Sequence, residues 1–180
     1  MQGRTVGGLV IVYTGGGKGK TTAALGLALR AVGHDRRIRM IQFIKGSWHY
    51  GEMTSSSRLA PELDMVAVGR GFVGILDDTS TPEQHRRVAA EAMSMARRDV
   101  SSGEYDIVIL DEINYAVKLG LVDEGAVLEM LGSRREDVDV VLTGNHARPA
   151  VLDAADLVTE MREVKHPFRK GMRAKEGIDY

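Results

Sequence analysis

The segment T-G-G-G-K-G-K-T-T, Thr14 to Thr22, joins the apolar run Leu-Val-Ile-Val-Tyr to Ala-Ala-Leu-Gly-Leu-Ala-Leu-Arg-Ala-Val-Gly, and it limits the fold more than any other part of the chain. A glycine-rich turn between a buried strand and a helix aims several backbone N–H groups at one point, where the helix N-terminus adds its positive end. An anion fits there. Lys20 supplies a full charge, and the hydroxyl of Thr21, with that of Thr22 beside it, can ligate Mg²⁺ bridging phosphates. A plain glycine turn at a strand end is the bland alternative, and the Gly-Lys-Thr-Thr run in a strand-loop-helix context favours the phosphate loop.

The spacing is unusual. The G-x-x-x-x-G-K-[ST] pattern calls for glycine at position 14, where the chain has threonine. A β-branched residue does not easily take the positive φ of a sharp strand exit, whereas Gly15 does. Counted from Gly15, the cradle is one residue shorter than usual, which shifts the phosphate that each N–H meets. Hydrolysis of the terminal phosphate is therefore not the automatic inference. The expected nucleotide-binding set is Thr14, Gly15, Gly16, Gly17, Lys18, Gly19, Lys20, Thr21 and Thr22.

A second apolar run, Asp106-Ile-Val-Ile-Leu-Asp111-Glu112, delivers two carboxylates at its C-terminal end. In a parallel sheet this end opens on the same edge as the loop. Asp111 or Glu112 could hold Mg²⁺ directly or through water, since hard oxygen ligands suit that ion. The alternative is a carboxylate capping the helix that follows.

Further apolar runs of strand length, Leu9 to Tyr13, Arg39 to Ile44, Met65 to Val68, Val138 to Leu142 and Leu157 to Met161, alternate with helical patterns. Helices are expected from Thr21 to Val32, from about Asp123 to Leu131, and after Thr81-Pro82-Glu83-Gln84, a capping box whose helix would bury Val88, Ala92, Met95 and Ala96. The region from Lys45 to Ser80 is mostly aperiodic, which often marks a binding surface. The expected fold is α/β: a single P-loop domain of the RecA-like type over residues 1–180, a mostly parallel sheet with helices on both faces. With 43% hydrophobic residues the chain can fill one such core.

Net charge is -1, from 24 basic and 25 acidic residues, so nothing pulls the chain generally toward nucleic acid or acidic membrane. The absence of cysteine removes disulfides and thiolate chemistry. No apolar N-terminal segment and no run near the roughly 18 residues of a membrane span is present, and a cytoplasmic protein is expected. The five histidines lack metal-ligand spacing, and no zinc site is expected.

Several segments together resemble the ATP:corrinoid adenosyltransferases: TGGGKGKTTAALGLALRAVGH, IQFIKGSWHYGE, GRGF, DIVILDEINYAVKLGLV and ADLVTEMREVKHPFRKGMRAKEGIDY. The resemblance implies transfer of the 5′-deoxyadenosyl group of ATP to a Co(I) corrinoid, with triphosphate leaving. It also implies a reversed nucleotide in a loop that lacks its first glycine, a homodimer, and a transient reductase partner. Lys20, Glu112 and Phe72 become the expected catalytic residues. Thr21, Asp111 and Glu112 become the metal-associated ones, and Arg30, at the end of the first helix, a helper of the triphosphate. Trp48, Phe72, His166 and Phe168 are candidates for the corrinoid or for a flap over it. Local packing remains open for Trp48 and Phe72, and a solvated tail for the basic segment from Arg162 to Lys175.

The chain departs from the family pattern in three places. Phe72 is followed by Val73 and Gly74, where Thr and Trp are usual. Asn145 follows Thr143-Gly144 in place of arginine, and Gly16 replaces a common asparagine. A RecA-like ATPase using Glu112 to polarise water, or a binding protein without catalysis, are the rival readings.

Overall fold

The structure is a computed structural model describing residues 7–46, 50–71 and 80–179. Six strands, Val10–Thr14 (β1), Ile38–Gln42 (β2), Leu63–Ala67 (β3), Ile107–Asp111 (β4), Asp139–Thr143 (β5) and Leu157–Glu160 (β6), form one sheet in the order β3-β2-β4-β5-β1-β6. All five pairings are parallel. Each crossover therefore returns the chain to the same starting edge, and all strand C-termini share the other edge. The register brings Gln42 beside Asp111 and Tyr13 beside Thr143, so the ends of β2, β4, β5 and β1 sit side by side.

Alternation along the strands divides the core into two layers. Val12, Ile41, Val108, Leu110, Val140 and Leu142 face the helices Pro82–Ser102 (α3), Ile113–Lys118 (α4), Glu124–Ser133 (α5) and Pro149–Asp153 (α6). Ile11, Met40, Ile109 and Val141 face Lys20–Val32 (α1). That helix buries only alanines, Ala24, Ala28 and Ala31, which lets its axis lie close on the sheet. The edge strand β6 is the exception to two-sided cover, with Leu157 and Val158 exposed.

The capping box forms as expected: Gln84 N donates to Thr81 Oγ1 at 3.3 Å and Thr81 N to Gln84 Oε1 at 2.8 Å. The buried seam of α3 is centred differently. It consists of His85, Ala89, Ala92, Met93, Ala96, Asp99 and Val100, leaving Val88 and Met95 half-buried. Hydrophobic pattern could not reveal Asp99, which is fully buried because Arg39 of β2 reaches it at 3.1 Å and Arg98 at 2.8 Å. Asp123 caps α5, accepting from Ala126 N at 3.2 Å. The short helices Gly51–Ser57 (α2), α4 and α6 escape periodicity because five to seven residues make at most two turns.

Candidate functional site

The loop between β1 and α1 has the geometry its glycines suggest. Gly15 leaves the strand at φ 95° and Gly19 precedes the helix at φ 115°, both in the left-handed region. Gly15 is doubly constrained, since a Cβ there would lie 2.5 Å from the Met161 carbonyl oxygen. Thr14 does not point into the cradle: its Oγ1 accepts from Ala147 N at 3.2 Å and so ties β1 to the segment after β5. Lys20 Nζ folds back to donate to the Gly15 and Gly17 carbonyls at 2.9 and 2.8 Å.

At the adjacent strand ends, Asp111 is completely buried and accepts three hydrogen bonds. Oδ1 accepts from the Thr21 hydroxyl at 2.8 Å and the Thr143 hydroxyl at 2.7 Å, while Oδ2 accepts from Gln42 Nε2 at 3.1 Å. Thr143 also accepts from Glu112 N at 2.9 Å. Asp111 thus orients Thr21 from the buried side, and Glu112 is the carboxylate that lines the cleft beside the loop. Glu112 stands at the N-terminus of α4 but its side chain caps nothing there, and its backbone takes φ 62°, unusual for a non-glycine residue. Such a conformation costs on the order of 1–3 kcal/mol and persists only where surrounding structure imposes it. Burial, reinforced by the Asp111 carboxylate, pushes the Glu112 carboxyl up to about 7, with Lys20 and Lys45 pulling the other way.

A cleft of 630 Å³ opens from this cluster. Its polar end holds Lys20, Thr21, Thr22 and Glu112, and its apolar wall runs along Leu25 and Leu29 of α1 to Leu59 and Leu63. The part of the aperiodic region around α2 contributes Glu52, Ser55 and Ser56 to the lining.

The C-terminal segment crosses the loop. Gly17 N donates to Met161 O at 2.7 Å, Lys18 Nζ pairs with Asp179 Oδ1 at 2.7 Å, and Gly177, Ile178 and Asp179 form part of the cleft rim.

The ATP:corrinoid adenosyltransferase BtuR/CobO/CobP family matches residues 7–180. The corrinoid adenosyltransferase of Escherichia coli (strain K12) is 38% identical over 96% of this chain and 86% of its own length. That of Pseudomonas aeruginosa (strain PAO1) is 35% identical over 99% and 87%. The chain belongs to the ATP:corrinoid adenosyltransferase family. Among solved structures, the flagellar accessory protein FlaH of Methanocaldococcus jannaschii (TM-score 0.53, 13% identity, 85% of this chain and 70% of that one) has a similar fold. So does the RadB recombinase (TM-score 0.52, 14% identity, 86% and 74%). These likenesses establish the α/β P-loop, RecA-like architecture alone.

For this adenosyltransferase-family chain the structure gathers Gly15, Gly16, Gly17, Lys18, Gly19, Lys20, Thr21, Thr22, Asp111 and Glu112 at one sheet edge. It does not bring Arg30 there. That residue occupies the last turn of α1 and lines a separate cleft with His34, Arg36, Asp106 and Asp139, at the edge where β4 and β5 begin. The reason is direction: α1 runs away from the loop, so a residue ten positions on is about 15 Å distant. His166 Nδ1 accepts from Phe168 N at 3.2 Å, closing the single turn Pro167–Lys170, and Phe168 is 74% exposed. The tail meets the cleft through Gly177–Asp179 instead of these two residues. Trp48 and Phe72, with Gly74, lie outside the described residues.

Sequence reasoning passed over Gln42, Lys45, Glu52 and Thr143. Gln42 and Lys45 lie in the family-like segment IQFIKG, which was a signal without an assigned chemistry. Thr143 was visible as the first residue of a Thr-Gly-Asn turn at a strand end.

Proposed function

We propose that this cleft seats ATP with its triphosphate on the Gly15–Thr22 loop and its ribose turned toward the corrinoid, and so carries out the family's reaction, ATP:corrinoid adenosyltransfer. The observation that supports it best is the pairing, in one cleft, of a cationic phosphate end with an apolar wall suited to an organic co-substrate. Co(I) of the corrinoid substrate supplies an electron pair to C5′, a Co–C5′ bond forms, the C5′–O5′ bond breaks, and O5′ departs on triphosphate. Because the metal substrate is the nucleophile, no side chain need act as a general base. The chain's work is to hold C5′ in line, to meet the charge growing on the departing oxygen, and to keep water out. Lys20 exchanges its two loop carbonyls for phosphate oxygens, a gain because bonds between charged partners are stronger.

The donors fit a hard divalent cation such as Mg²⁺, which when bound offsets phosphate charge. The Thr21 hydroxyl and the Glu112 carboxylate would hold it, with Asp111 fixing Thr21 from behind. Among the described residues no group of three or more acidic or histidine side chains could hold such an ion, so phosphate oxygens and water would have to supply the remaining ligands. The raised Glu112 carboxyl, crowded by Asp111, is the acid that such a cation would relieve.

On the family resemblance we also propose a cytoplasmic homodimer served by a transient reductase. Among the described residues no helix is long and apolar enough to cross a membrane.

The test is incubation with ATP, Mg²⁺ and chemically reduced cobalamin. The expected result is the light-sensitive alkylcobalamin spectrum with stoichiometric triphosphate, and release of ADP instead would refute the assignment. Lys20→Ala should abolish both product formation and productive ATP binding, since its ammonium is the one folded over the loop carbonyls of Gly15 and Gly17, whereas that of Lys18 is paired with Asp179.

A further inference from the structure

The loop after β2 carries a further ammonium into the cleft on a rigid mount, in addition to those of Lys18 and Lys20. Phe43 and Ile44 are buried, Phe43 N donates to Asp111 O at 3.0 Å, and Gly71 N donates to Ile44 O at 3.0 Å. Gly46 then allows the Arg70–Gly71 backbone to pass so closely that a Cβ would lie 2.5 Å from it. Lys45 projects from between these anchors with only 13% of its side chain exposed. Its Nζ bonds the Glu52 carboxylate, lies 4.6 Å from the centre of the Tyr50 ring, and stands 3.9 Å from Asp111 Oδ2. One carboxylate, Asp111, therefore separates Lys45 from the Thr21 hydroxyl.

A buried ion pair seldom adds net stability over apolar packing, because desolvating both charges offsets their attraction. This pair, moreover, is not sealed in the core. Lys45 and Glu52 line the same cleft as Lys20, Thr21 and Glu112. Glu52 has a second neighbour, Gln42 Nε2 at 3.5 Å, that stays with it if the ammonium turns away.

We propose that Lys45 is a further triphosphate-binding residue of the reaction, held on Glu52 until ATP fills the cleft and then moving its hydrogen bond to a triphosphate oxygen. The inference rests on the adenosyltransfer reading above. As the C5′–O5′ pair moves onto O5′, the leaving group gains a negative charge. Lys20 meets that group from the loop, and Lys45 meets it from the β2 side across Asp111.

The test is calorimetric titration of inorganic triphosphate into the full-length protein in magnesium buffer, with no corrinoid present. Lys45→Met should weaken binding roughly tenfold or more, about 1.4 kcal/mol. Glu52→Gln, which removes the competing carboxylate, should bind as tightly as the parent or more tightly, and Lys45→Arg should restore most of the loss. An ion pair that merely shapes the cleft predicts something else, an equal loss in Lys45→Met and Glu52→Gln, and that result overturns the proposal. So does parental affinity in Lys45→Met. Should Lys45→Met not fold, Glu52→Gln decides, because weakened triphosphate binding there contradicts a competing role. A parent protein that binds neither triphosphate nor ATP would overturn the functional reading itself, and with it this inference.

Discussion

Replacing Glu112 by glutamine separates the cost of burying its charge from its use. The folded protein lifts this carboxyl from 4.5 to about 7, through burial first and the Asp111 charge second. At about 1.36 kcal/mol per unit, the shift corresponds to about 3 kcal/mol of opposition to folding once the group is ionised. Below pH 4.5 the carboxyl is protonated in folded and unfolded chains alike, and its contribution to stability is fully present. Between 4.5 and about 7 the folded protein keeps a proton that the unfolded chain has released, so the contribution falls as pH rises. Above about 7 it is lost. Glutamine is neutral throughout. Urea denaturation should therefore find Glu112→Gln close to the parent near pH 4.5 and more stable by about 3 kcal/mol at pH 8, while adenosyltransfer slows and its magnesium dependence weakens. Binding of magnesium ATP to the parent at pH 7 should release part of a proton, visible as a dependence of the calorimetric heat on buffer, and the variant should release none. A stability difference that does not change with pH would refute the argument, because it would mean that the carboxyl is not held protonated by its surroundings.

Thr143→Val leaves Glu112 N without its acceptor and Asp111 with one donor fewer, so it should destabilise the protein by about 1–3 kcal/mol in urea titrations. Gly46→Ala forces the Arg70–Gly71 backbone aside, and should lower stability by about 1–3 kcal/mol and weaken triphosphate binding in calorimetry. Deletion of residues 177–180 removes part of the cleft rim and the surface pair Lys18–Asp179, so ATP affinity should fall while the thermal midpoint stays put.

Legibility from sequence followed range. The strands and the three longer helices were readable because local pattern, caps and glycine punctuation all act within a few residues, and Thr81, Gln84 and Asp123 cap where such chemistry predicts. The loop and the Asp111–Glu112 pair were readable because a parallel sheet places all strand ends on one edge. What stayed hidden depends on pairing between distant strands. The hydrogen bonding of Asp111 by Gln42, Thr21 and Thr143 needs β2, β4 and β5 to be neighbours in register. Arg30 was expected near the triphosphate from the family likeness, and the ten positions that separate it from Lys20 carry it to the far end of α1, beside another cleft.

The shortened cradle and the crossing tail bear on the same electrostatic problem. A loop that begins at Gly15 offers one residue fewer to a phosphate chain, and the Gly17 N–H is already committed to Met161 O. Fewer amides then face the triphosphate, and Asn145 brings no cation from the end of β5. The charge of the leaving group must be met by side chains, whose ammonium bonds to phosphate are stronger than neutral amide bonds. Lys20 is one. Lys18 also lines the cleft but pairs with Asp179, whereas the ammonium of Lys45 lies beyond the end of β2 beside Asp111. Gripping the phosphates as a departing whole is what transfer from C5′ requires and cleavage between phosphates does not.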